Sequence, residues 1–208
     1  MYYYSSQISC VEPFNLKMTQ KILYIIFGFS LFTSTWATPA QLALCQTCHG
    51  MDGYAQQNAW PHLAGQSPKY MVKQLQDLKN NARQSPLMQP YAKLLSDQEM
   101  LEIADYYAKQ PRHSAKNKPV PRGEQLYLRG DASIRVPACS ACHGPSGLGN
   151  DAAKYPSLAQ QNALYIQQQL LAFKTHTRQN DAHHIMQDIS ERLSSEDIEA
   201  LSQYLSQL

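Results

Sequence analysis

Four of the five cysteines fall in two matching strings, Cys45-Gln46-Thr47-Cys48-His49-Gly50 and Cys139-Ser140-Ala141-Cys142-His143-Gly144. On a helical turn, two thiols three positions apart present both sulfurs to one edge of a flat group. Thioether bonds to the two vinyl groups of a haem fit this spacing, and the histidine that follows can reach the iron through Nε2. Three other chemistries compete for such strings. A dithiol redox pair would follow a strand in a βαβ pattern, and none is visible. One zinc site could take both pairs, but they lie in separate repeat units, each with its own histidine. Structural disulfides would leave His49, Gly50, His143 and Gly144 without a purpose. The strings therefore imply two covalent haem c groups per chain.

Each iron then needs a sixth ligand or an open site. Met88 follows His49 by 39 positions and Met186 follows His143 by 43, and the two methionines occupy equivalent repeat positions. A thioether opposite an imidazole raises the reduction potential and closes the iron to small molecules, as an electron carrier requires. Met51 is too close to His49 to reach the opposite face. Met71 and Met100 fall inside expected helices and read as packing residues. His183 and His184 are rival ligands in the second half, without counterparts in the first; otherwise they are exposed polar residues near the haem rim. A ligating histidine is commonly oriented by a hydrogen bond from Nδ1–H to a backbone carbonyl. Pro61 and Pro156, 12 and 13 positions past the two histidines, are suited to hold such a loop rigid. Arg83 and Arg178 either pair with haem propionates or end a helix in solvent. Tyr70, Tyr165, Gln66 and Gln161 are candidates to line the pockets, and Tyr106 and Tyr204 to pack between helices.

The elements that must position these residues repeat with them. Trp60-Pro61-His62-Leu63-Ala64-Gly65-Gln66 answers Tyr155-Pro156-Ser157-Leu158-Ala159-Gln160-Gln161. Tyr70, Gln74, Leu75, Lys79 and Arg83 answer Tyr165, Gln169, Leu170, Lys174 and Arg178. The offset runs only from 94 at Cys45 and Cys139 to 98 at Met88 and Met186, so one small unit is present twice. The proline-bracketed polar stretch Pro111 to Pro119 reads as a linker between a domain at 38–110 and a domain at 120–208. Ser67-Pro68 starts a helix running to about Asn81, and the Ser96-x-x-Glu99 capping box opens one to about Lys109. Asn162 is placed to cap a helix to about Thr175, and Ser194-x-x-Asp197 opens the last helix. A short helix leads into each cysteine string, from Pro39 and from near Arg122. The expected class is all-α.

Composition limits the remaining possibilities. Of 208 residues, 43% are apolar and 16% charged, which is globular rather than disordered. A net charge of +2, with no basic run, gives no footing for nucleic acid. Lys17 and Lys21 precede an apolar run, Ile22 to Phe32, that is short for a membrane span, and Thr35-Trp36-Ala37 offers a cleavage site. Residues 1–37 therefore read as an export signal, with Met18 the expected true start and Cys10 in an upstream extension. An uncleaved anchor is the alternative. After cleavage, membrane association would be peripheral at most.

Taken together, these residues resemble the cytochrome c4 family over nearly the whole mature chain. The resemblance rests on both Cys-x-x-Cys-His-Gly strings, the Pro-x-Leu-Ala-Gly-Gln type loops and the Tyr-x3-Gln-Leu helices. It also rests on Arg178-x-Asn180-Asp181 and the closing Leu193-Ser194-x2-Asp197-Ile198-Glu199-Ala200-Leu201 segment. It implies two class I cytochrome c folds with haems near their interface, and Met88 and Met186 as distal ligands. It further implies a periplasmic carrier between an upstream quinol-oxidising complex or dehydrogenase and a downstream terminal oxidase. One departure is Gln160, where the first repeat and the family pattern have glycine. The competing function is a dihaem enzyme of peroxidase or thiosulfate-oxidising type. Equivalent methionines in both halves, and no mature cysteine outside the strings, argue against it.

Overall fold

The computed structural model describes Met1, residues 41–113 and residues 118–208. The expected leader with Cys10 and Met18, Pro39, and residues 114–117 of the linker lie outside the described residues. Thr38–Leu208 form one compact unit. The fold is all-α, as expected: among the described residues β-structure is limited to two isolated bridges, Asp131 with Val136 and Asn150 with Tyr155. No helix among these residues is long and apolar enough to cross a membrane.

In the first half, α1 spans Leu42–His49, α2 Pro68–Lys79, α3 Gln89–Leu94 and α4 Asp97–Ala108. In the second half, α5 spans Pro121–Arg129, α6 Ser140–His143, α7 Ala163–Lys174, α8 Ile185–Glu191 and α9 Ser195–Leu205. Short 3₁₀ turns lie at Ala132–Ile134 and Ala182–His184. Helix α4 packs on α2, and α9 packs on both α5 and α7. Each half has its own core. Leu42, Met71, Leu95, Met100, Ile103, Ala104 and Tyr107 fill the first, with Cys45 packed at its edge. Leu126, Tyr127, Val136, Ile166, Leu193, Ile198, Leu201 and Leu205 fill the second, with Cys139 at its edge. Met71 and Met100 are thus core residues, as their helical positions indicated. Gly123 lets α5 lie directly on α9: a Cβ there would stand 2.2 Å from the Ala200 carbonyl oxygen.

Three helix starts follow from local chemistry. Ser67 Oγ accepts from the Tyr70 N–H at 3.1 Å, with Pro68 in the first turn. Ser96 with Glu99, and Ser194 with Asp197, close complete capping boxes. Each such cap stabilises its helix by about 1 kcal/mol. Two details differ from the sequence expectation. Asn162 stands at the N-cap of α7 without capping it; its Nδ2 donates to the Trp60 carbonyl at 2.8 Å in the other half. The helix near Arg122 stops at Gly130, and a 3₁₀ turn and the Asp131–Val136 bridge intervene before Cys139. Gly130 explains the break, because a Cβ there would meet the Val136 oxygen at 2.4 Å.

Candidate haem sites and the interface between them

Both strings end a helix with the histidine turned inward. His49 closes α1 and His143 closes α6, and both are buried. Their Nδ1 atoms lie 3.0 Å from the Pro61 oxygen and 2.9 Å from the Pro156 oxygen. A carbonyl oxygen only accepts, so Nδ1 carries the proton in each ring and Nε2 presents its lone pair. Among the described residues neither Nε2 takes part in a hydrogen bond. Burial pushes both imidazoles below their ordinary pKa, against the opposing effect of the proline carbonyls. A neutral, oriented ring with a free Nε2 is the donor that a haem iron takes.

One thiol of each string is poorly suited to thiol–disulfide exchange. Cys45, Cys48, Cys139 and Cys142 are unpaired. Burial pushes the Cys45 thiol up and raises Cys139 to about 11, the reverse of the lowered pKa that an exchanging thiol needs.

The turn after each string is locked from behind by a tyrosine that the sequence reading passed over. Tyr107 donates its hydroxyl to the Gly50 carbonyl at 3.2 Å, and Tyr127 donates to the Gly144 carbonyl. Both rings are fully buried. They come from non-equivalent helices, α4 in one half and α5 in the other, so the internal repeat held no sign of them. Tyr106, expected between helices, packs half-buried against the first core and also donates to the Met51 carbonyl at 2.7 Å. Tyr204 does pack against the second core.

Met88 and Met186 are half-buried at comparable places, though not in open loops. Met88 occupies the N-cap of α3, and Met186 is the second residue of α8. Neither short helix was expected from the sequence. Asp181 holds the second site together: its Oδ2 accepts from the Met186 N–H at 2.8 Å and the Gln187 N–H at 3.2 Å. His183 and His184 are both exposed, with φ of 56° and 58° in the turn before Met186.

The remaining candidates do not sit apart in two pockets. They meet across the halves. Arg83 donates to Gln74 Oε1 at 2.9 Å in its own half, then to the Tyr165 hydroxyl at 3.1 Å and Gln169 Oε1 at 2.9 Å in the other. Arg178 mirrors it, donating to Gln169 Oε1 at 2.7 Å, the Tyr70 hydroxyl at 3.2 Å and Gln74 Oε1 at 3.0 Å. Arg178 is only 7% exposed, so a solvated helix end is excluded for it. Burial raises the Tyr70 phenol, but the Arg178 and Arg83 guanidiniums bring it below its ordinary pKa. Gln66 and Gln161 also cross over. Gln66 bonds the Ser157 N–H at 2.8 Å and carbonyl at 2.9 Å; Gln161 bonds the His62 N–H at 2.7 Å and carbonyl at 2.9 Å. Asp151 of the second half accepts from Ser67 Oγ at 2.7 Å and so reaches the start of α2.

Gln160 keeps the backbone that glycine adopts at the equivalent place. Its φ is +59° against +61° at Gly65. Gly65 N–H donates to the Tyr107 carbonyl at 2.9 Å, and Gln160 N–H donates to the Leu205 carbonyl at 2.8 Å. At Gly65 a Cβ would meet the Arg112 side chain, with Nε at 2.5 Å, so any other residue there requires that arginine to shift as well as a left-handed backbone.

Comparison with known proteins matches two family models to the chain. The family model described as Cytochrome c matches residues 120–208. That described as Cytochrome C oxidase, cbb3-type, subunit III matches residues 34–106. A cytochrome c4 from Thiocapsa roseopersicina is 45% identical, over 79% of this chain and 87% of the relative. A thiosulfate dehydrogenase electron acceptor from Stutzerimonas stutzeri is 38% identical, over 86% of this chain and 85% of the relative. The crystal structure of reduced recombinant cytochrome c4 from Pseudomonas stutzeri superposes with a TM-score of 0.77 at 38% identity, covering 81% of this chain and 95% of that one. Two cytochrome c domains, two attachment strings and these relatives place the chain in the cytochrome c4 family of electron carriers with two covalent haem c groups.

Proposed function

We propose that this protein carries electrons in the periplasm, with one haem in a domain at 38–110 and one in a domain at 120–208, joined by 111–119. Cys45 and Cys48 hold the first haem, with His49 and Met88 as axial ligands. Cys139 and Cys142 hold the second, with His143 and Met186. When bound, each haem supplies a one-electron ferric–ferrous couple. The chain's own residues orient the imidazoles, close both iron faces and brace the two sites against each other. The observation that carries this reading is the duplicated pairing of His49 with the Pro61 carbonyl and His143 with the Pro156 carbonyl. Arg83 and Arg178 face the haem propionates in this reading; Arg83 spends three N–H donors on the interface and has others to offer.

Electrons enter from a quinol-oxidising complex or a dehydrogenase and leave towards a terminal oxidase. The relative named as an electron acceptor of thiosulfate dehydrogenase supports entry from a dehydrogenase. Two methionine-capped irons leave no place for substrate, which disfavours a peroxidase or thiosulfate-oxidising enzyme. The test combines two measurements on the protein purified from a periplasmic extract. Intact mass after acid–acetone extraction should include two haems. The ferric spectrum should carry the thioether-to-iron band at its red edge. Loss of either haem on extraction, or a high-spin ferric spectrum, overturns the assignment.

A further inference from the structure

The crossing glutamines do more than join the halves, because of which atoms they touch. The Pro61 carbonyl and the His62 N–H belong to one peptide group. His49 Nδ1–H donates to its oxygen at 3.0 Å, while Gln161 Oε1 of the other half accepts from its N–H at 2.7 Å. The mirror peptide joins Pro156 to Ser157. His143 Nδ1 lies 2.9 Å from its oxygen, and Gln66 Oε1 accepts from its N–H at 2.8 Å. Gln66, Gln161 and Ser157 are all buried, so these bonds are little screened by water.

A hydrogen bond accepted from an amide N–H draws electron density through the amide onto its carbonyl oxygen, which then accepts more strongly. A stronger acceptor at Nδ1–H makes Nε2 a better donor and favours ferric iron. We propose that Gln66 and Gln161 are crossed positioning residues: each half supplies the glutamine that sets the basicity of the other half's axial imidazole, through one shared peptide group. The inference rests on reading His49 and His143 as iron ligands. Side-chain identity at 62 and 157 is irrelevant to the relay, since both partners there are main-chain atoms. That explains how His62 and Ser157 can stand at matching positions.

The experiment is a potentiometric titration of the full holoprotein, with the two haems assigned by NMR, in wild type and in Gln161→Met and Gln66→Met. Methionine keeps the volume and removes the acceptor. Gln161→Met should raise the potential of the first-half haem and move the His49 Nδ1–H resonance, leaving the second-half haem unmoved. Gln66→Met should do the reverse. A cooperative effect of this kind should change the reduction equilibrium on the order of threefold, about 28 mV for one electron. Gln161→Ala and Gln66→Ala repeat the test should a methionine variant not fold. A shift at the glutamine's own haem, equal shifts at both, or none at either overturns the proposal. Failure of the ligand reading is recognised separately, because wild type would then lack two histidine-ligated haem signals before any glutamine is changed.

Discussion

Arg178 and Gln74 are separated by 104 positions in sequence and joined at 3.0 Å in the fold, where the guanidinium donates to the buried amide oxygen. Gln74 Oε1 also accepts from Arg83 Nη1 at 2.9 Å and from Asn180 Nδ2 at 3.0 Å. Replacing Arg178 with methionine deprives Gln74, Gln169, Tyr70 and Asn180 of a donor at once. Loss of a buried, charged donor costs about 2–3 kcal/mol. Arg178→Met should therefore lower Tm by several degrees in a thermal melt of the holoprotein. An unchanged Tm would remove the cluster from any account of how the halves hold together.

Exchange of the distal sulfur tests the ligand assignment directly. Met186→His should keep the second haem six-coordinate and lower its potential strongly, since imidazole favours ferric iron where thioether favours ferrous. A titration should then resolve two waves, one shifted down and one nearly unmoved. Met88→His is the mirror test on the first haem. Replacing His183 and His184 together with alanine is the control, since both are exposed; the spectrum should stay low-spin and methionine-ligated. A high-spin haem in that double variant, with Met186→Ala unaffected, would make histidine the ligand.

The two attachment strings were legible because their spacing is local in sequence and the repeat displays it twice. Ser67, Ser96 and Ser194 were legible as helix starts for a similar reason, since a cap needs only its own next three residues. What escaped was whatever depends on the other half. Asn162 has the right type for a cap, but a carbonyl from residue 60 lies within its reach. For Arg83 and Arg178 the sequence offered propionate pairing or a solvated helix end, and not the partners at 165–169 and 70–74, because those come from a repeat unit that sequence spacing keeps apart. Tyr107 and Tyr127 escaped differently: one task is done from two non-equivalent helices, and periodicity finds only equivalent positions.

Gln160 carries two local costs, a left-handed backbone at φ +59° and a buried Oε1 with no hydrogen-bond partner among the described residues. Gln160→Gly relieves both, against the greater unfolded-state entropy of glycine. The net effect should be a stabilisation of about 1 kcal/mol, read as a rise in the denaturation midpoint. The reciprocal Gly65→Gln should be destabilising, because it adds a side chain at a left-handed backbone and displaces Arg112.

Arg122 joins α5 to Asp131 at 2.8 Å and to Asp197, the third residue of α9, at 2.7 Å. Hydrogen bonds from Ser133 and then from Arg122 hold Asp131 down at about 2, and those from Arg122 and Ser194 lower Asp197 despite its burial. A carboxylate depressed on folding contributes stability that is complete above its unfolded pKa, near 3.8, and disappears as pH falls through the folded value. Arg122→Gln should thus be less stable than wild type at neutral pH. The gap in Tm should close between about pH 4 and pH 2. A gap that persists unchanged at pH 2 would mean that the arginine acts by packing alone.

Four of the contacts between the halves form two reciprocal pairs. Gln66 holds the main chain at 157 and Gln161 holds it at 62; Arg83 reaches Gln169 and Arg178 reaches Gln74. Such exchange is the signature of an isologous, two-fold interface, in which one patch is complementary to itself. A single unit bearing the same glutamine, arginine and proline carbonyl would repeat these four contacts against a second copy of itself. Fusion through the Pro111 to Pro119 tether turns that encounter into an intramolecular one, at an effective concentration that no longer depends on how much protein is present. The pairing thereby survives dilution, and each copy becomes free to drift in its side chains while the shared main-chain seam keeps the two in register.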